Sequence, residues 1–363
     1  MSTGPRQRRI SAYTVLERIA DGLEIPNQGR QMLGLATPQA IDADGDQADP
    51  DPWSLAAALT RSSIDAAIMD RFERLVLVQA MRYPSTPPTV MWPTIRQELQ
   101  RAEAALAERQ TLSIQRRLVN VIATLSGLAG NLSVDLGRQT RALEYFDVSR
   151  VAADEAGNND LAAWSLALQS IDPFFRGYGD EAASLLDRAT DLADSESSAR
   201  RRAWIAALRA RAHAAAGNAT TAAGSLEAAY ATIDQAEPRR NGTDFFDRDR
   251  LDGIAGTTYL LMRDTDRAMT LISAATERRP YADAKGRALL TLDMAACRLI
   301  DQEPDEVVAL VADALDIADG QIVRPIMMRS RELRSRMGTW RDTAAVKALD
   351  ARLATLRDLD QGK

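Results

Sequence analysis

Residues 253–280 read GIAGTTYLLMRDTDRAMTLISAATERRP, and the spacing inside this stretch decides the fold. Gly256 and Tyr259 fall on a first helix, Ala268 opens a second, Ile272 and Ala275 follow at helical spacing, and Pro280 ends it. The turn residue Arg263 precedes Ala268 by five positions. The same offset recurs at Gly137/Ala142, Gly177/Ala182, Gly217/Ala222 and Glu303/Val308, so the turns are spaced by 40, 40, 46 and 40 residues. A constant period of this length marks a helical solenoid, in which each helix pair buries its apolar face only against its neighbours.

Composition supports an all-α chain. Of 363 residues, 45% are apolar and 26% charged, which suffices for a sizeable core. Aromatics are only 5% and Ala and Leu dominate, so helix is favoured nearly throughout and almost no strand is expected. From residue 94 the pattern predicts helices at 94–109, 111–132, 139–156, 159–175, 180–194, 199–216, 219–235, 245–262, 265–277, 283–301, 305–318, 324–337 and 342–357. The short turns between them are those that antiparallel neighbours require. No window approaches a membrane span and the first residues lack a signal-peptide core, so the expected compartment is the cytoplasm, with no membrane contact.

The N-terminal part reads differently. Residues 11–24 form a helix with Val15, Leu16, Ile19, Ala20 and Leu23 on one face, stopped by Pro26, and a short helix follows around Arg30–Leu35. Residues 37–52, rich in Asp, Pro and Gly, are expected to be a flexible acidic linker. Its Asp42-Ala43-Asp44-Gly45-Asp46 run resembles the start of a calcium loop, but Gln47 replaces the turn glycine and Trp53 the closing glutamate. The predicted division is therefore 1–36, a two-helix remnant; 37–52, the linker; and 53–363, the solenoid. Within 53–81 a break near 60–63 is expected, with Ser62 or Ser63 capping the second helix. The whole chain carries −6, yet residues 1–36 hold five arginines against three acids. Only this segment could meet phosphate, through Arg6, Arg8 and Arg9, whose other reading is a disordered charged terminus.

The unit around Ala268 resembles the tetratricopeptide repeat: a small residue on the first helix admits the second, an aromatic fills the gap, and a proline closes the unit. Other units share the spacing with drifted residue types, as in Gly130/Ala142/Phe146, Ser170/Ala182/Leu186/Ala189 and Ala296/Val308/Ala312/Leu315. Further stretches carry a wider resemblance. They are residues 129–137, Asp160-Leu161-Ala162-Ala163-Trp164, Phe245-Phe246-Asp247, residues 250–257, Trp340-Arg341-Asp342-Thr343 and the leading residues 15–26 and 33–36. Together they resemble an actinobacterial helix-turn-helix regulator of the xenobiotic-response-element (Cro-type) family with a C-terminal tetratricopeptide sensor.

That resemblance implies a right-handed solenoid behind a remnant of the DNA-binding module. The helices at 11–23 and 30–35 resemble the fourth and last of that module's five, and the recognition helix has no counterpart. The implied function is transcription regulation in which an effector, a peptide or small molecule, changes solenoid curvature, with a homodimer as the common state of such regulators. The other expectation is a standalone protein–protein adaptor that does not bind DNA.

In the groove, Trp164 and Trp204 stand 40 residues apart on successive first helices. They either pack between units or line the concave side with Gln169, Arg209 and Tyr259 as further contacts. Asn131 is either a groove residue or a helix C-cap. No chemistry is expected: a single His213 and a single Cys297 cannot build a catalytic set or a metal site, and no phosphate loop occurs. Packing explains both. The sequence thus reads as a non-enzyme without cofactor or metal.

Overall fold

A computed structural model describes residues 12–23, 25–35, 52–193, 197–237, 243–319 and 321–361. Among these residues there is no β-strand. The chain divides into two units, 1–60 and 61–363. The first contains α1 (Ala12–Gly22), α2 (Asn27–Met32) and α3 (Pro52–Thr60). The second unit therefore begins after α3, and the helix expected to open the solenoid at residue 53 belongs to the first unit. Arg6, Arg8, Arg9 and the Asp42–Asp46 run lie outside the described residues.

In the first unit α2 starts three residues earlier than expected, because Gly29 and Arg30 donate to the Pro26 carbonyl. It ends at Gly34 (φ +67°), where the Leu35 amide donates to the Arg30 carbonyl at 2.9 Å. Arg30 is buried and pairs with Asp21 of α1. Ala20 is buried as well, but Val15, Leu16, Ile19 and Leu23 remain exposed.

The second unit is an all-α stack: α4 (Ala66–Arg82), a 3-10 turn at Tyr83–Ser85, α5 (Pro88–Ala107), α6 (Leu112–Asp135), α7 (Gln139–Ala156), α8 (Asn159–Gln169), α9 (Ile171–Phe175), α10 (Gly179–Leu192), α11 (Ala199–Ala215), α12 (Ala219–Ile233), α13 (Arg248–Leu261), α14 (Thr265–Arg278), α15 (Ala284–Ile300), α16 (Pro304–Ile317), α17 (Arg324–Ser335) and α18 (Ala344–Gln361). Consecutive helices pair, α6 with α7, α11 with α12, α13 with α14 and α15 with α16, and each pair packs on the next. The core is accordingly a chain of apolar clusters along the stack.

The repeated turn has a single geometry. The residue after the turn position donates to the carbonyl five back in every unit: Arg138 to Ser133, Tyr178 to Pro173, Asn218 to His213, Asp264 to Tyr259 and Glu303 to Arg298, at 2.8–3.0 Å. The turn position is left-handed each time, Gly137, Gly177 and Gly217 with φ of 73–82°, Arg263 at 69° and Gln302 at 64°. The last unit is thus registered one residue earlier than Glu303/Val308 suggests. Val307, Val311 and Ala314 are the buried set, matching Ala268, Ile272 and Ala275. A side chain at positive φ costs about 1 kcal/mol relative to glycine. Arg263→Gly and Gln302→Gly are therefore expected to raise thermal stability slightly, as read by calorimetry, without moving the helices.

Close approach within a pair uses the expected small residues. A methyl group on Gly130 would lie 2.6 Å from the Phe146 ring, and one on Gly256 would lie 2.4 Å from Ile272 Cγ1. Other boundaries differ from the sequence reading. The helix expected at 94 begins at Pro88, since Pro87 and Pro88 suit a helix start. Asp65, not Ser62 or Ser63, caps α4 by accepting from the Ile68 amide at 2.8 Å, while both serines bond Gln110. The segment 159–175 is two helices: Ser170 Oγ turns back to the Ala167 carbonyl at 2.7 Å, and Pro173 has no amide proton to continue the ladder.

One helix, Leu112–Asp135, is long and apolar enough to cross a membrane, contrary to expectation, and 78% of its apolar window is buried inside the stack. It is the stack's core helix.

The stack also closes on itself. The turn at Tyr83–Ser85 touches α15, and α17 touches both α6 and α9. At this junction Lys285 Nζ donates to Asp135 Oδ1 and Oδ2 at 2.5 and 2.7 Å and to the Tyr83 hydroxyl at 2.9 Å. The Tyr83 hydroxyl in turn donates to Asp135 Oδ2 at 2.8 Å. Asp135 is buried, and burial together with its neighbouring charge pushes the Tyr83 hydroxyl well above its ordinary pKa.

Candidate functional site

Closure leaves a cavity of about 690 Å3 inside the second unit, walled by α9, α11, α13, α15, α17 and residues 245–246. Its wall comes from one stripe on each helix. Trp204, Arg211 and Ala215 line it from α11; Arg250, Gly253, Ile254, Thr257 and Leu261 from α13; Gly286, Leu289, Leu290 and Asp293 from α15; Met328, Arg329 and Glu332 from α17. The spacings of three, four and seven are those of one helical face. The bend at Ser170 and Pro173 sets Phe174, Phe175 and Arg176 in the same wall.

The polar groups of the wall are largely committed to one another. Asp293 accepts from the Thr257 hydroxyl at 2.7 Å and from Arg329 Nη2 at 3.1 Å, and Arg329 Nη1 donates to Glu332 at 2.6 Å. Asp283 accepts from Arg279 at 2.8 Å and from the Gly286 amide at 3.0 Å, and so both caps α15 and holds an arginine of the wall. Arg211 lies over the Phe174 ring, 3.9 Å from its centroid. Its Nε is sealed from solvent without a hydrogen-bond partner. Burial lowers its pKa to about 10, opposed by the charge of Asp293.

None of the five residues expected in a groove lines this cavity. Asn131 is buried inside α6, which runs on to Asp135, so it is no C-cap either. Trp164 is buried, 3% exposed, with its ring where a side chain on Gly127 would have to go. It packs between units. Gln169 ends α8, half-buried and outside the wall. Arg209 is tied to Asp187 at 2.6 Å and Ser225 at 2.8 Å, joining α10, α11 and α12. Tyr259 fills the gap between neighbouring core clusters under Arg267. Trp204, which the sequence reading paired with Trp164, is the one that reaches the wall.

His213 bonds Asp187 at 3.1 Å in the same packed layer. Among the described residues no group of three His, Cys, Asp or Glu side chains is placed to hold a metal. Burial pushes the Cys297 thiol up to about 12. Folded protein is therefore expected to resist iodoacetamide at pH 8 while unfolded protein is labelled. Rapid labelling of the native chain, read by mass spectrometry, would contradict the buried placement.

No family model matches the chain, and no curated protein matches it. The wall can bind and orient a guest of moderate size, with aromatic faces for an apolar body and guanidinium groups for negative charge.

Proposed function

We propose that the chain is a non-enzymatic regulatory protein whose solenoid takes up a peptide or small effector in its inner cavity. The observation that supports this is the cavity itself, a half-open hollow whose wall combines apolar and aromatic side chains with convergent arginines, contributed by elements far apart in sequence. A guest touching α11, α13, α15 and α17 together would favour the closed stack over an opened one, a population shift that a second module could read. The resemblance to xenobiotic-response-element regulators makes DNA binding through the N-terminal segment the output we propose, with a homodimer as its form.

Native mass spectrometry of the full chain purified from its own cells tests effector uptake. A small molecule is expected on the wild type and absent from Ile254→Trp, which fills the cavity. Equal retention by both, or none on either, would contradict the reading. An adaptor without DNA binding is the second reading, favoured by the apolar side chains that α4 leaves exposed, Ile68, Leu75, Val78 and Met81. A gel-shift titration against the protein's own promoter separates the two, since absence of retardation at modest salt leaves the adaptor.

A further inference from the structure

Five arginines reach the cavity wall, and they differ in what neutralises them. Arg329 is held by Asp293 and Glu332, Arg279 and Arg250 share Asp283, Arg250 also faces Asp247 at 3.7 Å, and Arg176 faces Asp172 at 3.6 Å. Both oxygens of Asp293 are already occupied, by Thr257 and Arg329. Arg211 has no carboxylate within ion-pair distance among the described residues. Its contacts are the rings of Phe174 and Phe175, 3.9 and 5.9 Å from the guanidinium, and its Nε bonds nothing. A half-buried guanidinium with no carboxylate partner is left with its charge poorly matched. It is accounted for if the missing anion arrives with a guest.

We propose that the cavity binds a small monocarboxylic acid with an apolar or aromatic body, its carboxylate held in the fork of Arg211 and its body against Phe174, Phe175, Trp204 and Leu289. This rests on the reading of the cavity as the binding site. The carboxylate follows from two features. The planar guanidinium matches its two oxygens, and Arg211 is the one arginine of the wall with no carboxylate within ion-pair distance among the described residues. The body follows from the rings and aliphatic side chains of the wall, and from a volume within the range of about 300–1,000 Å3 typical of small-molecule sites.

The test uses the full chain and three matched pairs of probes: 1-naphthoate, indole-3-acetate and decanoate, each beside its carboxamide, titrated by calorimetry. Acids are expected to bind at least tenfold more tightly than their amides. Arg211→Met should abolish that preference and Arg211→Lys retain part of it. Because Arg211→Met removes a half-buried charge that no carboxylate pairs, its ligand-free form is expected to melt no lower than wild type, and Arg211→Gln serves as a second neutral variant. Acids and amides binding alike, or a preference that survives Arg211→Met, would overturn the acid assignment while leaving the cavity as a binding site. Tighter binding of 1-naphthyl phosphate than of 1-naphthoate would overturn the carboxylate. Failure of every probe to bind would remove both this inference and the cavity reading under it.

Discussion

Lys285→Met is expected to lower the unfolding free energy by about 3–5 kcal/mol, because it strands a buried carboxylate whose partner is gone. Asp135 is only 2% exposed at its side chain, so water cannot replace the ammonium without opening the junction. The Tyr83 hydroxyl remains as one donor, which is too little to solvate an anion. At this chain length the loss corresponds to a fall in Tm of roughly 5–10 °C. The same variant should loosen the contacts of α17 with α6 and α9, and with them the cavity wall. Hydrogen exchange in α15 and α17 should quicken before that in α11 and α12. A change in Tm below about 1 °C would mean that the Lys285 contact contributes no more than an exposed ion pair.

Gly256→Val is expected to be the next most damaging change, at about 2–3 kcal/mol. Its first carbon would stand 2.4 Å from Ile272 Cγ1 and 3.2 Å from the Ala268 carbonyl oxygen and the Ile272 amide. The side-chain contact could be relieved by rotation, but the backbone contacts can be relieved only by moving α14 away from α13. Gly224→Ala provides the contrast. Beyond the adjoining residues and the helix's own backbone, nothing lies within 4 Å of the added methyl. It sits inside α12, so the substitution should stabilise by about 0.5–1 kcal/mol. Chemical denaturation measures both, and opposite signs are expected.

The architecture was legible because its determinants are local. Each turn needs a left-handed residue and each following helix a small or branched opener, and these recur at a constant interval whatever surrounds them. The final unit misled by one residue because Val307 and Val308 are both apolar, and only packing distinguishes which is buried. The cavity was less legible. Arg209 and Arg211 are two positions apart on α11 and therefore face nearly opposite ways. One is locked to Asp187 and Ser225, the other reaches the wall. Trp164 and Trp204 are equivalent by period, yet Gly127 makes a slot for the first, while Trp204 is left at the cavity. Phe174 and Phe175 were visible only as the end of a helix, since the bend that aims them depends on Ser170 and Pro173 acting together. Closure itself left no mark in the pattern. Asp135 and Lys285 lie 150 residues apart, and nothing periodic links them.

The most direct measurement is therefore a double-mutant cycle on this pair, Asp135→Asn, Lys285→Met and the two combined, by denaturant unfolding of the full chain. In a closed stack the two changes are expected to be coupled by about 2–3 kcal/mol, the double variant being far less damaged than the sum of the singles. Additivity within about 0.5 kcal/mol would show that the two side chains do not meet, and the closed wall around the cavity would fall with them.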